Sequence, residues 1–170
     1  MKQNLLPAMA HMLRSEGGFS NHPADKGGVT NLGVTQETWE SWLGHPVTEK
    51  EMRSLTPEKV APMYKQKYWD KIRGDDLPTG LDYAVFDFAV NSGPGRAVKM
   101  LQRVLGVTED GVIGPKTIAK AQSVVSNELI DDYNDARLVF LKALPTWDTF
   151  GKGWGRRVAE VTTEATNMTA

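Results

Sequence analysis

Two carboxylates in one glycine-rich stretch have the residue types and the spacing for acid–base chemistry. Glu16 ends a predicted helix and precedes Gly17 and Gly18, and Asp25 follows nine residues later. The negative end of a helix dipole destabilises a carboxylate, which favours the protonated form that a general acid needs. The glycines leave room for a bulky substrate beside Glu16. The alternative interpretations are a surface Glu16 before a glycine cap and an Asp25 that shapes a turn.

A threonine completes this candidate catalytic set. Thr30 lies five residues beyond Asp25 and is a candidate for positioning a water molecule or a sugar amide. Its alternative role is packing in a short hairpin.

A second polar pair interrupts an apolar helix. Leu81–Asn91 is apolar on nearly all sides, which predicts a central buried helix, and Asp87 and Asn91 lie one turn apart on one face of it. Each side chain must find a buried partner or line a wet groove. The two interpretations are a structural network that bonds the Glu16 loop and a groove wall that binds substrate. Aromatic residues such as Tyr64 and Trp69 can stack on sugars, although at helical spacing most are expected in the core.

The elements that must position these residues are predicted to be helical. Thr35, Thr56 and Gly106 are expected to cap helices, and a small hairpin is expected around Ala24–Gly28. The sequence thus predicts a mainly α-helical domain with at most a small β-hairpin near the N-terminus. The predicted helices are 4–15, 36–42, 56–69 with a bend near Pro62, 81–91, 96–105, 116–122, 126–144 and a last helix that frays after Glu164.

Composition excludes several classes of protein. The 170 residues are 40% hydrophobic and 24% charged, with a net charge of −1 and no cysteine. No disulfide, thiolate zinc site or cysteine nucleophile is available, and the three histidines lack ligand spacing. A nucleic-acid binder would carry a basic excess, and no apolar run reaches the roughly 18 residues of a membrane span. We predict no metal, no organic cofactor, no nucleic-acid partner and no stable membrane association.

The glycine-rich stretch resembles a known family. Residues 16–35 read EGGFSNHPADKGGVTNLGVT, which is similar to the opening motif of phage endolysin muramidases of glycoside hydrolase family 108. Phe19 and His22 stand where that motif has tyrosine and aspartate. Residues 68–70, 86–93 and 151–157 resemble later family motifs, and residues 101–117 resemble its C-terminal predicted peptidoglycan domain.

The resemblance implies a lysozyme-like fold of two lobes and hydrolysis of the β-1,4 bond between N-acetylmuramic acid and N-acetylglucosamine. It implies a catalytic region at 1–90 and a peptidoglycan-domain-like region at 91–170, packed as one compact unit. Glu16 matches the catalytic glutamate, and Arg156 or Arg157 is expected to be ion-paired or to face peptidoglycan carboxylates. The expected catalytic residues are Glu16, Asp25 and Thr30, and the expected substrate-binding residues are Asn31, Asp87, Asn91, Tyr64 and Trp69.

The biological setting implied by the resemblance is lysis of a bacterial host by a phage or prophage. A monomer would accumulate in the host cytoplasm and reach the glycan strands of the cell wall when a separate holin-type pore opens the inner membrane. A lytic transglycosylase acting on the same bond is one alternative. A non-catalytic peptidoglycan-binding module is the other, although only residues 94–122 favour it.

Overall fold

The computed structural model describes residues 4–16, 18–21 and 28–170. Within these residues the chain forms nine α-helices and one two-stranded hairpin, which confirms the mainly α-helical prediction. The helices are α1 (Leu5–Glu16), α2 (Gln36–Leu43), α3 (Glu49–Arg53), α4 (Pro57–Tyr64), α5 (Leu81–Ser92), α6 (Pro94–Leu105), α7 (Pro115–Ser123), α8 (Ser126–Lys142) and α9 (Trp147–Met168). The strands are β1 (Thr30–Asn31) and β2 (Val34–Thr35).

The hairpin of the described residues is formed by β1 and β2. Thr30 pairs with Thr35 and Asn31 with Val34, while the hairpin expected around Ala24–Gly28 falls largely outside the described residues. Thr35 ends β2 and also caps α2, because its hydroxyl accepts a hydrogen bond from the backbone N–H of Thr38. The end of the hairpin and the start of α2 are therefore fixed together.

The helix that begins at Pro57 is an α-helix at first and a π-helix in its last turn. Thr56 caps it as predicted, and α4 continues without a break from Tyr64 into a π-helix over Lys65–Trp69. A short 3-10 helix, Gly74–Asp76, then leads towards α5. The wider turn of a π-helix shifts the face on which later side chains lie, and such turns are frequent at functional sites.

The core is built around α5, which is buried over its first nine residues. The same hydrophobic cluster includes side chains from helices along the whole chain: Met9, Met12, Met63, Leu101, Ile130, Tyr133 and Val161. An apolar helix that other helices cover on all sides is the arrangement that its sequence predicts. In the part of the chain that the structure describes, no helix combines the length and the apolar character needed to cross a membrane.

Two sequence-based expectations about helix bounds are wrong. Helix α3 was not expected; a reciprocal pair of hydrogen bonds between Thr48 and Glu51 begins it. The last helix does not fray after Glu164 but continues to Met168. Its final turn packs on Gly80, where a Cβ would lie 2.4 Å from the Ala165 carbonyl oxygen. Packing on Gly80 thus stabilises the last turn of α9, which the sequence alone predicts to fray.

Candidate active site

Glu16 is the last residue of α1, as predicted, and its carboxylate is ion-paired. Its Oε1 lies 2.9 Å from Nη2 of Arg157, which α9 brings from the other end of the chain. The Glu16 side chain is 25% exposed and that of Arg157 is 13% exposed. The candidate acid is thus accessible at one side and held by a partly buried cation at the other.

The turn of the hairpin lies directly against Glu16. Leu32 and Gly33, the two turn residues, both have positive φ, 52° and 74°. A Cβ on Gly33 would lie 3.2 Å from Cβ of Glu16 and 2.8 Å from the hydroxyl oxygen of Tyr64. Glycine is therefore required here both by the backbone conformation and by the close approach of two side chains.

Side chains that contact other segments anchor this hairpin. The Tyr64 hydroxyl donates a 2.8 Å hydrogen bond to the Leu32 carbonyl oxygen, and the Asn31 amide donates one of 2.9 Å to the Met52 carbonyl oxygen. Thr30 exchanges two backbone hydrogen bonds with Ser20, of 2.7 and 2.8 Å, which ties the residues after Glu16 to β1. Thr30 is thus a half-buried residue of the hairpin that covers Glu16, and its predicted catalytic role remains a prediction.

Two phenols lie near the Glu16 carboxylate. Burial, and then the negative charge of Glu16, raises the pKa of Tyr64 above its ordinary value. The same two causes raise the pKa of Tyr68, whose ring centroid is 5.7 Å from that of Tyr64. Tyr68 is half-buried, so its ring is the exposed member of the pair. The π-helix that follows Tyr64 carries Tyr68 to this position.

A buried charge network supports the site from beneath. Asp87 is fully buried and accepts hydrogen bonds from two arginines, with Arg137 Nη1 at 2.8 Å and Arg157 Nε and Nη2 at 3.1 Å each. Burial alone would lower the pKa of Arg157, but the charges of Asp87 and Glu16 raise it above its ordinary value. The four side chains alternate in charge from Glu16 to Arg137.

This geometry corrects several predicted substrate contacts. Asp87 and Trp69 have no exposed surface, so neither can contact a glycan strand directly. The Trp69 indole N–H instead donates to Asp75 at 2.9 Å, and its ring meets that of Phe86 edge-on. Tyr64 and Asn31 are also buried, with their polar groups engaged in holding the hairpin. Packing and internal hydrogen bonds thus occupy most of the surface of all four side chains, and the substrate contacts predicted for Tyr64 and Asn31 stay predictions.

Asn91 is the predicted binding residue that reaches a cleft. The cleft has a volume of about 400 Å³ and lies between α1, α5 and α9. It opens beside Arg157, the cation that pairs with Glu16. Its lining is polar with one aromatic ring: Ser15, Asn91, Gly153, Trp154, Arg156, Arg157 and Glu160.

Two further site predictions have different outcomes. Asp25 lies outside the described residues, so its role as a second carboxylate remains a prediction. Arg157 is ion-paired, which was one of the two roles expected for it, whereas Arg137 was missed. In the described residues no group of three or more His, Asp or Glu side chains could hold a metal ion.

Comparison with known families identifies the class of protein. The Glycosyl hydrolase 108 model matches residues 9–93, and the model described as Predicted Peptidoglycan domain matches residues 96–159. The solved structure of Brucella abortus SagA is similar to this chain at 47% sequence identity with a TM-score of 0.84, covering 99% of this chain and 97% of that one. No match was found among curated proteins.

The chain belongs to the glycosyl hydrolase 108 family. It is a glycoside hydrolase of the muramidase type, and its substrate is peptidoglycan. The resemblance noted in the sequence is confirmed, including the peptidoglycan domain in the second half of the chain.

Proposed function

We propose that the chain hydrolyses the β-1,4 bond between N-acetylmuramic acid and N-acetylglucosamine, with Glu16 as the general acid. The observation that carries the proposal is the position of Glu16: a partly exposed carboxyl group at a helix end, enclosed by the hairpin turn, Tyr64 and Arg157. Positional constraint is what proton transfer to a bound sugar requires.

The proposed reaction follows the two-carboxylate scheme of glycosidases. The Glu16 carboxyl proton moves to the glycosidic oxygen, the bond from that oxygen to the anomeric carbon breaks, and a water adds to the anomeric carbon. Asp25 is proposed either to take the proton of that water or to stabilise the positive charge of the sugar ring, in which case the Glu16 carboxylate takes the proton of the water. Thr30 is proposed to hold the water or a sugar amide.

Replacement of Glu16 tests the acid. Glu16→Gln keeps the size of the side chain but cannot donate the proton, and positioned proton transfer contributes roughly 100- to 10,000-fold to a rate. We expect a loss of that order in a turbidity assay on purified peptidoglycan, with binding to the cell wall retained. Glu58→Gln, an exposed glutamate of α4, is the matched control. Lysis by Glu16→Gln near the wild-type rate would refute the assignment.

Product analysis tests the bond and the reaction type. Hydrolysis adds one water and leaves a reducing N-acetylmuramic acid end, whereas a lytic transglycosylase leaves an anhydro sugar without adding water. Mass spectrometry of digested cell wall separates these products. Asp25→Asn, assayed in parallel, should lose as much activity as Glu16→Gln if Asp25 activates the water, and less if it only shapes the loop.

We propose that the enzyme is a monomeric phage or prophage endolysin that lyses its host. The support is the resemblance of residues 16–35 to endolysin muramidases. The enzyme would stay in the host cytoplasm until a holin-type pore admits it to the cell wall. Expression in a Gram-negative host with and without such a pore tests this: lysis is expected only with the pore, and equal lysis in both cultures would contradict it.

A further inference from the structure

We propose that the peptidoglycan-domain region is part of the catalytic machinery, because its Arg157 acts as a positioning residue that holds the Glu16 carboxyl group. The inference rests on the proposed role of Glu16 as the acid. It assigns to residues 96–159 a contribution to bond cleavage itself, in addition to any contact with cell wall.

The charge network crosses between the two family regions. Glu16 and Asp87 lie in residues 9–93, whereas Arg137 and Arg157 lie in residues 96–159. Every ion pair of the network therefore joins one region to the other, at 2.8 to 3.1 Å. The first region contributes both carboxylates, and the second contributes both cations.

Asp87, and not Glu16, fixes the position of the Arg157 guanidinium. Asp87 receives Arg157 through two parallel hydrogen bonds, a planar arrangement that sets the orientation of both groups. Arg137, only 1% exposed, holds the same carboxylate from the other side. Nη2 of Arg157 is then presented to Glu16 at 2.9 Å. The cation is thus in place whether Glu16 is charged or neutral.

A cation at this position assists proton donation. When Glu16 gives its proton to the glycosidic oxygen, the O–H bond breaks and a carboxylate remains on Glu16. Arg157 stabilises that developing charge more than it stabilises the neutral acid, so it lowers the barrier to proton transfer.

The two phenols beside Glu16 are neutral, and Arg157 is charged. Burial and the charge of Glu16 raise the pKa of Tyr64 and of Tyr68. Arg157 keeps its charge because Asp87 and Glu16 raise its pKa. Substitution of Arg157 therefore removes the cation that contacts the Glu16 carboxyl group.

The test compares substitutions of two cations on α9. Arg157→Gln removes the charge beside Glu16, and Lys152→Gln removes a charge at an exposed position outside the cleft lining. We measure kcat and KM on soluble peptidoglycan fragments, with thermal unfolding and cell-wall pelleting alongside. Removal of one donor that stabilises transition-state charge costs on the order of 100-fold in kcat. We expect that loss for Arg157→Gln, with KM nearly unchanged.

The decisive result is the division of that loss between kcat and KM. A residue that acts only in the transition state lowers kcat and leaves KM nearly unchanged. Lys152→Gln should leave both constants at their wild-type values. For Arg157→Gln, a loss that lies in KM or that only follows a loss of folded protein would indicate a structural role and overturn the proposal, as would wild-type kcat.

A second variant keeps the test decisive if Arg157→Gln fails to fold. Arg157→Lys retains the cation but not the two parallel hydrogen bonds. It should show a reduced kcat at nearly wild-type KM, because the cation remains without its fixed orientation, and a wild-type kcat would overturn the positioning role. Active Glu16→Gln would refute the proposed function as well, whereas inactive Glu16→Gln with wild-type kcat for Arg157→Gln would refute this inference alone.

Discussion

The two family regions contribute to the site in different ways. Residues 9–93 supply Glu16 and the hairpin from a helix end and a tight turn, over a short stretch of sequence. Residues 96–159 supply Arg137 and Arg157 from the interior of two long helices, α8 and α9. One contribution is local in sequence, and the other exists only after the helices pack.

This difference explains why one region carries a legible motif. Glycines, a capping threonine and a carboxylate must occur at set spacing to form a turn beside an acid. An arginine in a long helix meets no such local requirement, since only the tertiary structure decides whether it faces solvent or a buried carboxylate. Substitution of the buried Arg137 in the second region should therefore lower mainly stability, whereas a substitution in the hairpin of the first region should lower mainly kcat.

Removal of Arg137 should have the largest effect on stability. Arg137→Met leaves the buried Asp87 with Arg157 as its remaining cation, and breaking a buried ion pair costs about 3–5 kcal/mol. We expect a decrease of about 3 kcal/mol in the free energy of unfolding measured in urea. Lys142→Met, at an exposed position of α8, is the control. Equal stability of the two variants would show that Asp87 does not depend on Arg137.

A glycine substitution in the first region should affect catalysis more than stability. Gly33 and Gly44 both have positive φ, 74° and 82°, so alanine at either position is strained by about 1–2 kcal/mol. Only at Gly33 would the new Cβ meet Glu16 and Tyr64, whereas at Gly44 nothing lies within 4 Å. We expect Gly33→Ala to lose at least 10-fold in kcat, by analogy with small misplacements of catalytic groups.

Gly44→Ala serves as the control for that experiment, because it introduces the backbone strain without the clash. It should lose stability similarly but keep its kcat. If both variants lost activity to the same degree, general strain and not the contact with Glu16 would be the cause.

The sequence predicted the elements that obey local rules. The caps at Thr35 and Thr56 and the end of α6 at Gly106, with φ of 73°, are confirmed because each satisfies backbone groups within a few residues. The apolar run at α5 also led to the correct buried helix. The direct substrate contacts assigned to Trp69 and Asp87 were wrong because burial depends on how distant helices pack on them.

Arg137 did leave a signal in the sequence that could have identified it. It lies on the apolar stripe of α8, at helical spacing from Tyr133 and Leu141, both of which are buried. A cation on such a stripe requires a buried acid, and Asp87 was the acid already known to need a partner. The sequence therefore held both halves of the pair without the geometry that joins them.

Loss of one hydroxyl should give a smaller effect. Tyr64→Phe keeps the ring that packs on Phe86 but removes the 2.8 Å hydrogen bond to the Leu32 carbonyl oxygen. We expect a loss of about 1 kcal/mol in stability and a modest fall in kcat, because the turn that covers Glu16 loses one anchor. Tyr133→Phe, which removes a buried hydroxyl in the second region, is the control. It should lose similar stability without the fall in kcat; matching kcat losses would contradict a local role for Tyr64.

The smallest effect is expected at Asp110, in the loop between α6 and α7 of the second region. The Val112 backbone N–H, at 3.0 Å, and then the Gln102 amide, at 2.8 Å, lower the pKa of Asp110. A carboxyl whose pKa is lowered by folding contributes stability above its ordinary pKa, near 4, and that contribution is lost as the pH falls through the folded value. Asp110→Asn should therefore melt slightly below wild type at pH 7, and the difference should disappear towards pH 3.

The Tm of Asp132→Asn, at an exposed position of α8, provides the baseline across the same pH range. A Tm difference for Asp110→Asn that persists unchanged at pH 3 would mean that the charge of Asp110 does not hold the loop. The hydrogen bonds of Asp110 join it to Gln102 and Val112 and to none of the residues that build the site, so kcat should be unaffected at every pH.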